Sequence, residues 1–306
     1  MFATVAQLRA TVKIIVMTDK NPTQGPYADV LMDRWFKRTF GWAPAKRLMT
    51  LFLTELIPER KIVDLNFGPQ EHINPIEEGK DARVDVECTD DDGTRFVVEM
   101  QLAKQADFYN RAVFNSTFAI QNQLKAGSRV FSFPPVYFIG VMNFSLHEED
   151  KVLYRYRLRE DSSNEQMTDC LQYLFLELPN CTKAMTAEAS VLDNFCYVLH
   201  NISRLPRHPD GLEGEIFDLL FKSADLSNFA TNERTQYFED MHSKEDIERM
   251  IAYAKEEGME EGMEKGMVQG MEKGTALVAK AMLEKGMDVE TIVSVTGLSV
   301  EQIQSL

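Results

Sequence analysis

The sequence predicts an α/β fold with a mixed central sheet flanked by helices, followed by a helical C-terminal extension. Three observations predict it. Helical and strand-like hydrophobic periods succeed one another in the order α-α-β-β-β-α-β over residues 27–144. The run Val136 to Phe144 is apolar on both parities, as a strand buried on both faces must be. Past residue 255, glycine recurs every four residues, at Gly258, Gly262, Gly266, Gly270 and Gly274.

The first helix is expected over Tyr27 to Phe40, where Leu31 and Trp35, and Met32, Phe36 and Phe40, repeat at four before Gly41. A second spans Ala45 to Leu56 before Pro58. Strands are expected at Lys61 to Phe67, Arg83 to Cys88 and Thr94 to Leu102, then a helix from about Ala106 to Ala126 ending at Gly127. Val152 to Leu158 and Leu171 to Leu178 alternate like further strands. Ala187 to Ile202 and Glu213 to Phe221 look helical, and Asp246 to Glu257 opens a long helix that runs into the glycine repeat. Two short helices flank Thr296-Gly297-Leu298-Ser299. These patterns divide the chain into an α/β domain over 1–180, a helical extension over 181–257, the Gly-Met repeat over 258–274 and a small helical segment over 275–306.

The 306 residues carry 33 basic and 48 acidic side chains, a net charge of −15. Residues 1–150 hold 17 basic and 20 acidic groups, a net of −3, so the rest carries −12. A nearly neutral first half with local basic clusters can still hold an anionic polymer, especially beside bound cations. No apolar run approaches the ~20 residues of a membrane span, and no long h-region precedes a small-residue cleavage site. Cys88, Cys170, Cys181 and Cys196 lack zinc-site spacing. A cytoplasmic protein with reduced thiols and no membrane partner is expected. The five histidines are scattered, and no Walker, G-x-G-x-x-G or H-E-x-x-H motif occurs, which argues against NTPase, dinucleotide and zinc-hydrolase chemistry.

The stretch RVDVECTDDDGTRFVVEMQ is the most informative. Asp91-Asp92-Gly93 fits a three-residue hairpin loop with Gly93 in the left-handed position. That register pairs Asp90 with Thr94, and hence Asp85 with Glu99. One face would then carry Val84, Val86, Cys88, Phe96, Val98 and Met100, and the other Arg83, Asp85, Glu87, Val97, Glu99 and Gln101. Carboxylates directly across a strand pair have Cβ atoms ~4.5–5.5 Å apart and repel without a cation between them. Mg²⁺ suits such an all-oxygen setting, taking one or two carboxylates and keeping several waters. Gln101, two residues on, could orient a water or a phosphate oxygen. A solvated acidic hairpin face is the plain alternative.

The same region resembles the recombination-promoting nuclease (Rpn)/putative transposase family, a branch of the PD-(D/E)XK nucleases. The resemblance is carried by Asp33-x-x-Phe36-Lys37-x-x-Phe40-Gly41, by Arg83-Val84-Asp85-Val86 with the acidic Gly turn, and by Val97-Val98-Glu99-Met100-Gln101. Phe108, Arg111 and Phe114, Gln123-Leu124-Lys125-Ala126-Gly127, Pro135-Val136 and the Val295-Thr296-Gly297-Leu298-Ser299 tail add to it. It implies a restriction-endonuclease-like core and an Mg²⁺- or Mn²⁺-dependent DNA endonuclease using a metal-activated water. Asp85 and Glu99 would be metal ligands, with Gln101 where the wider superfamily has lysine. Phe114 stands where relatives often have tyrosine, so any role for that hydroxyl is absent. The family name suggests recombination or mobile elements.

Other residues have two readings. Asp33 and Lys37, four apart on a helix, make a surface ion pair worth about 0.2–0.5 kcal/mol, or an outer acid of the metal site and a phosphate contact. Beyond the hairpin, Phe108, Tyr109, Ala112, Val113, Ile120 and Leu124 form the expected core stripe, with Arg111, Asn115 and Asn122 opposite. Arg111 could reach a phosphate with its planar fork, as could Lys104; otherwise both are solvent-facing. Five glycines in one helix cost about 1 kcal/mol each relative to alanine, so the repeat is a flexible linker or a marginal helix pairing with a second subunit. The closing Gly turn resembles a helix-turn-helix, but Val300 to Leu306 has no Lys or Arg for phosphates. Assembly into a homo-oligomer through these C-terminal helices is expected. The alternative to a DNA endonuclease is a catalytically weak relative acting as an oligomeric interaction or regulatory protein.

Overall fold

A computed structural model describes residues 25–72, 82–124, 127, 129, 132–149 and 151–305. These divide into two compact units, which part between Ala230 and Thr231.

In the first unit, helices α1 (Asp33–Phe40) and α2 (Lys46–Leu56) precede strands β1 (Leu65–Phe67), β2 (Glu71–His72), β3 (Ala82–Arg83), β4 (Val86–Asp90) and β5 (Arg95–Gln101). Helix α3 (Phe108–Gln121), strands β6 (Val136–Met142), β7 (Leu153–Arg157) and β8 (Leu171–Glu177), and helices α4 (Val191–Asn201) and α5 (Glu215–Ala224) follow. The main sheet has the order β1-β4-β5-β6-β8-β7. Its β1-β4-β5 and β7-β8 pairings are antiparallel, whereas β5-β6-β8 are parallel, so the sheet is mixed. All seven residues of β6 are buried, the outcome its two-parity apolar run requires.

One face of the sheet buries Val86, Cys88, Phe96 and Val98 against apolar stripes of α1, α2, α4 and α5, with Phe52 stacked on Phe195 at 5.3 Å. The other buries Val97, Phe138 and Phe175 under Phe108, Ala112 and Ala119 of α3. The result is the three-layer, restriction-endonuclease-like α/β core expected from the sequence. The two helices after residue 181 pack into this same core; α4 starts from a capping box in which Ser190 and Asp193 exchange bonds.

Gly140 sets how closely α3 approaches the sheet. A Cβ there would lie 2.9 Å from Phe108 and 2.9 Å from Phe175. Gly140→Ala is therefore expected to cost about 1–3 kcal/mol by overpacking, read as a lower urea midpoint at unchanged slope.

Three expectations need correction. The first helix starts at Asp33, not Tyr27: Tyr27 instead bridges to Asp225, and the Asp29 carboxylate takes the Leu31 N–H at 3.1 Å, so local side-chain and tertiary bonds replace the first helical turn. Val84 does not share the face of Val86. It packs with Val97 and Phe108, because the strand breaks at Val84-Asp85, where the Val84 N–H donates to the Gln70 carbonyl at 2.9 Å. In α3, Tyr109 and Val113 are 44% and 51% exposed, while Asn115 is buried.

The second unit holds α6 (Thr231–Glu284), which stays helical through the glycine repeat, then α7 (Val289–Thr296) and α8 (Val300–Gln304). Gly297, at φ +71°, ends α7 in the left-handed conformation that glycine permits at least cost, and Ser299 with Gln302 caps α8. A small core of Ala279, Ile292 and Ile303 joins the three helices. Among the described residues no helix is long and apolar enough to cross a membrane.

Candidate metal centre

The hairpin turn sets the geometry. Gly93, at φ +86°, donates its N–H to the Asp90 carbonyl, and the Asp90 N–H donates to the Thr94 carbonyl at 3.0 Å. The register that follows, Val86 to Val98 and Cys88 to Phe96, brings Asp85 level with Glu99 when extended by one residue.

Asp85 itself stands in the break between β3 and β4. Bonded pairs alternate along an antiparallel ladder, so with Asp90–Thr94 bonded the Met100 N–H would next seek the residue-84 carbonyl. The Asp85 carboxylate takes that N–H instead, at 2.8 Å. This side-chain substitution for a strand acceptor fixes the carboxylate against β5.

Glu99 is 3% exposed. Its Oε1 accepts a short bond from the Asn115 amide, and its Oε2 lies 3.8 Å from Arg111 Nη2. Arg111 and Asn115 are one turn apart on α3, so one helix face presents both to the carboxylate. From the other side, α1 brings Lys37, whose Nζ lies 2.8 Å from Asp33 Oδ1 and 3.3 Å from Asp85 Oδ1. Three carboxylates thus meet two cations.

Burial raises the Asp85 carboxyl to about 6, against the Met100 N–H and Lys37, which favour its ionised form. Burial likewise raises Glu99 to about 7; the Asn115 bond opposes this and the Asp85 charge adds to it. Two buried carboxylates that resist ionising together are a site to which a divalent cation adds what the protein lacks. Among the described residues no group of three or more His, Cys, Asp or Glu side chains converges as a metal cage. One or two carboxylates are what Mg²⁺ commonly takes from a protein, water completing its shell, so the donor set fits.

The structure brings together Asp33, Lys37, Asp85, Glu99 and Arg111 of the residues singled out in the sequence. Gln101 follows Glu99 by two residues and ends β5 half-buried, on the same face by strand alternation. Lys104 is exposed in the following loop, and no described hydrogen bond or ion pair joins it to the cluster. Sequence reasoning placed Asn115 away from the core and missed its bond to Glu99; the four-residue spacing from Arg111 was the available signal. The contact between Lys37 and Asp85 was likewise not foreseen, because it joins elements 48 residues apart.

A family profile described as PD-(D/E)XK nuclease family transposase matches residues 30–254. A second, described as the C-terminal HTH domain of the Rpn/YhgA-like nuclease family, matches residues 273–306. No curated protein and no solved structure matches the chain.

Proposed function

The chain belongs to the PD-(D/E)XK nuclease family, and from that premise we propose that it is a divalent-metal-dependent DNA endonuclease whose metal is held by Asp85 and Glu99. The observation that carries this reading is the buried carboxylate pair, level across the β4-β5 hairpin and bounded by Lys37 and Arg111. A cation bound there would polarise a phosphoryl oxygen and acidify water at neutral pH.

The protein's own groups divide the remaining work. The Met100 N–H and Asn115 hold the two carboxylates in fixed orientations, as outer partners of metal ligands do. Arg111 offers a planar fork to a substrate phosphate while still close to Glu99. Lys37 supplies positive charge beside Asp85, with Asp33 holding it there. Gln101, at the end of β5, would orient water.

Supercoiled plasmid incubated with Mg²⁺ or Mn²⁺ is expected to be nicked or linearised, and the products to vanish with EDTA or with Asp85→Asn. Intact plasmid across a range of metals, from protein with native circular dichroism, would reject the enzyme.

A second reading has one specific observation in its favour. Met259, Met263, Met267 and Met271 are all more than 60% exposed along α6, and a Cβ added at Gly258, Gly262, Gly266 or Gly270 would meet nothing within 4 Å. Soft methionine side chains beside bare backbone suit a second helix, and this stripe is where homo-oligomerisation would occur. An interaction protein built on it would ignore Asp85→Asn and fail when the tail is removed.

A further inference from the structure

We propose that an aromatic recess beside α3 receives an unpaired nucleobase next to the phosphate handled at the carboxylate pair, so that the substrate is single-stranded or locally opened nucleic acid; this deepens the nuclease reading and rests on it. The recess encloses about 330 Å³ and is lined by Tyr109, Ala112 and Val113 of α3, Tyr156 of β7, and Tyr173 and Phe175 of β8. Tyr109 and Tyr156 each lie 5.5 Å from Phe175, centroid to centroid, and 6.1 Å from each other. The two tyrosine rings stay open to solvent over a buried Phe175: Tyr109 is 44% and Tyr156 39% exposed. Large aromatic rings left facing water above a buried phenylalanine make a surface suited to a flat partner.

The rings are fixed in advance. The Tyr156 hydroxyl lies 2.7 Å from His147 Nε2, and His147 Nδ1 lies 2.5 Å from Oε1 of the fully buried Glu177. His147 stacks on Tyr154 at 3.7 Å, and Asn180 donates to the second Glu177 oxygen at 2.8 Å. The Tyr173 hydroxyl is 3.1 Å from Ser116 Oγ. Apolar ring faces with hydroxyls at their tips suit a base, which has a flat face to stack and a polar edge to bond.

Register supplies the link to the metal centre. Glu99 is level with Gly140, and Gly140 with Phe175. Two strand spacings of ~4.8 Å place the backbone of Phe175, on the near wall of the recess, about 10 Å from that of Glu99. Helix α3 serves both places, with Arg111 and Asn115 towards Glu99 and Tyr109 and Val113 lining the recess. The two places lie on different flanks of α3, so a base whose own phosphate sits at the pair reaches the recess only by swinging away from its neighbours. In a closed duplex that base is paired and unavailable.

The test uses full-length protein in EDTA, so that binding is read without cleavage, with a 2-aminopurine-labelled single strand and its blunt duplex as probes. The single strand is expected to bind at least about tenfold more tightly than the duplex, with quenching as the labelled base stacks. Val113→Trp, which fills the recess from an exposed position, and Tyr109→Ala, which removes a wall, are expected to weaken single-strand binding about tenfold or more and leave duplex binding unchanged. Unquenched binding, or single-strand affinity unaltered in both natively folded variants, overturns the base site; the latter is also the outcome if the recess serves a protein side chain. If the wild type still nicks plasmid in that case, the nuclease reading stands without it. If the wild type neither cleaves plasmid nor binds either probe, the nuclease reading fails and takes the base site with it.

Discussion

Asp85→Asn is expected to abolish cleavage, by about 10³-fold or more, while making the metal-free protein more stable at neutral pH. Both effects come from one charge. Asparagine keeps an acceptor for the Met100 N–H and leaves Lys37 its bond to Asp33, so the hairpin holds its shape, whereas Asp85→Ala would strand that N–H. What is lost is the anion that repels Glu99 and that the proposed mechanism uses to bind metal. The pH dependence has a definite sign. An unfolded carboxyl titrates near 4, but burial lifts Asp85 to about 6 and Glu99 to about 7 in the folded chain. Between those limits the native state binds more protons than the unfolded one, so the stability from these groups is present below pH ~4 and lost as pH rises through 6 to 7. The thermal midpoint of Asp85→Asn should therefore exceed that of the wild type at pH 7.5, with the gap closing towards pH 5. Mg²⁺ should reverse the order at pH 7.5 by stabilising only the wild type. A variant less stable than the wild type at pH 7.5, with no Mg²⁺ effect on either, would remove Asp85 from the metal site.

The same hairpin shows what a sequence discloses. Its register was readable because it depends on three adjacent residues, Asp91-Asp92-Gly93, and on one positive φ that glycine meets at little cost. Strand β6 was readable because burial on both faces writes itself into every residue. The family resemblance rested on motif order, and the profile over residues 30–254 agrees with it. What escaped depends on distant partners. The break at Val84-Asp85 exists because the backbone at Gln70 draws Val84 out of the ladder, and nothing local to residue 84 announces it. Helix α3 was read with Tyr109 and Val113 in the core because periodicity shows which side is apolar, not whether anything covers it. The sheet leaves them lining a recess and turns Asn115 inward, where Glu99 repays its burial with a hydrogen bond.

Lys37 carries the second large effect, and it follows from what Gln101 lacks. A glutamine at the end of β5 cannot give a developing anion positive charge. Helix α1 delivers that charge from the opposite side, with Lys37 Nζ 3.3 Å from Asp85 Oδ1. Burial acts to lower the Lys37 pKa, but the bonds and charges of Asp33 and Asp85 outweigh it and leave the ammonium harder to deprotonate than usual. Lys37 therefore stays charged throughout the range in which the carboxyls titrate. Lys37→Met, close in length but neutral, is expected to lower kcat about 10²-fold with a much smaller change in KM, since a charge that acts on the transition state contributes little to ground-state binding. It should also push Asp85 and Glu99 further up, moving the acid limb of the kcat profile to higher pH, because a cation favouring the ionised forms has gone. The decisive comparison is the double variant Lys37→Met/Gln101→Lys, which returns an ammonium from the other side of the same carboxylate pair. Partial recovery of kcat assigns Lys37 the role of charge donor. A single variant with wild-type kcat would reduce Lys37 to the helix-surface ion pair it makes with Asp33.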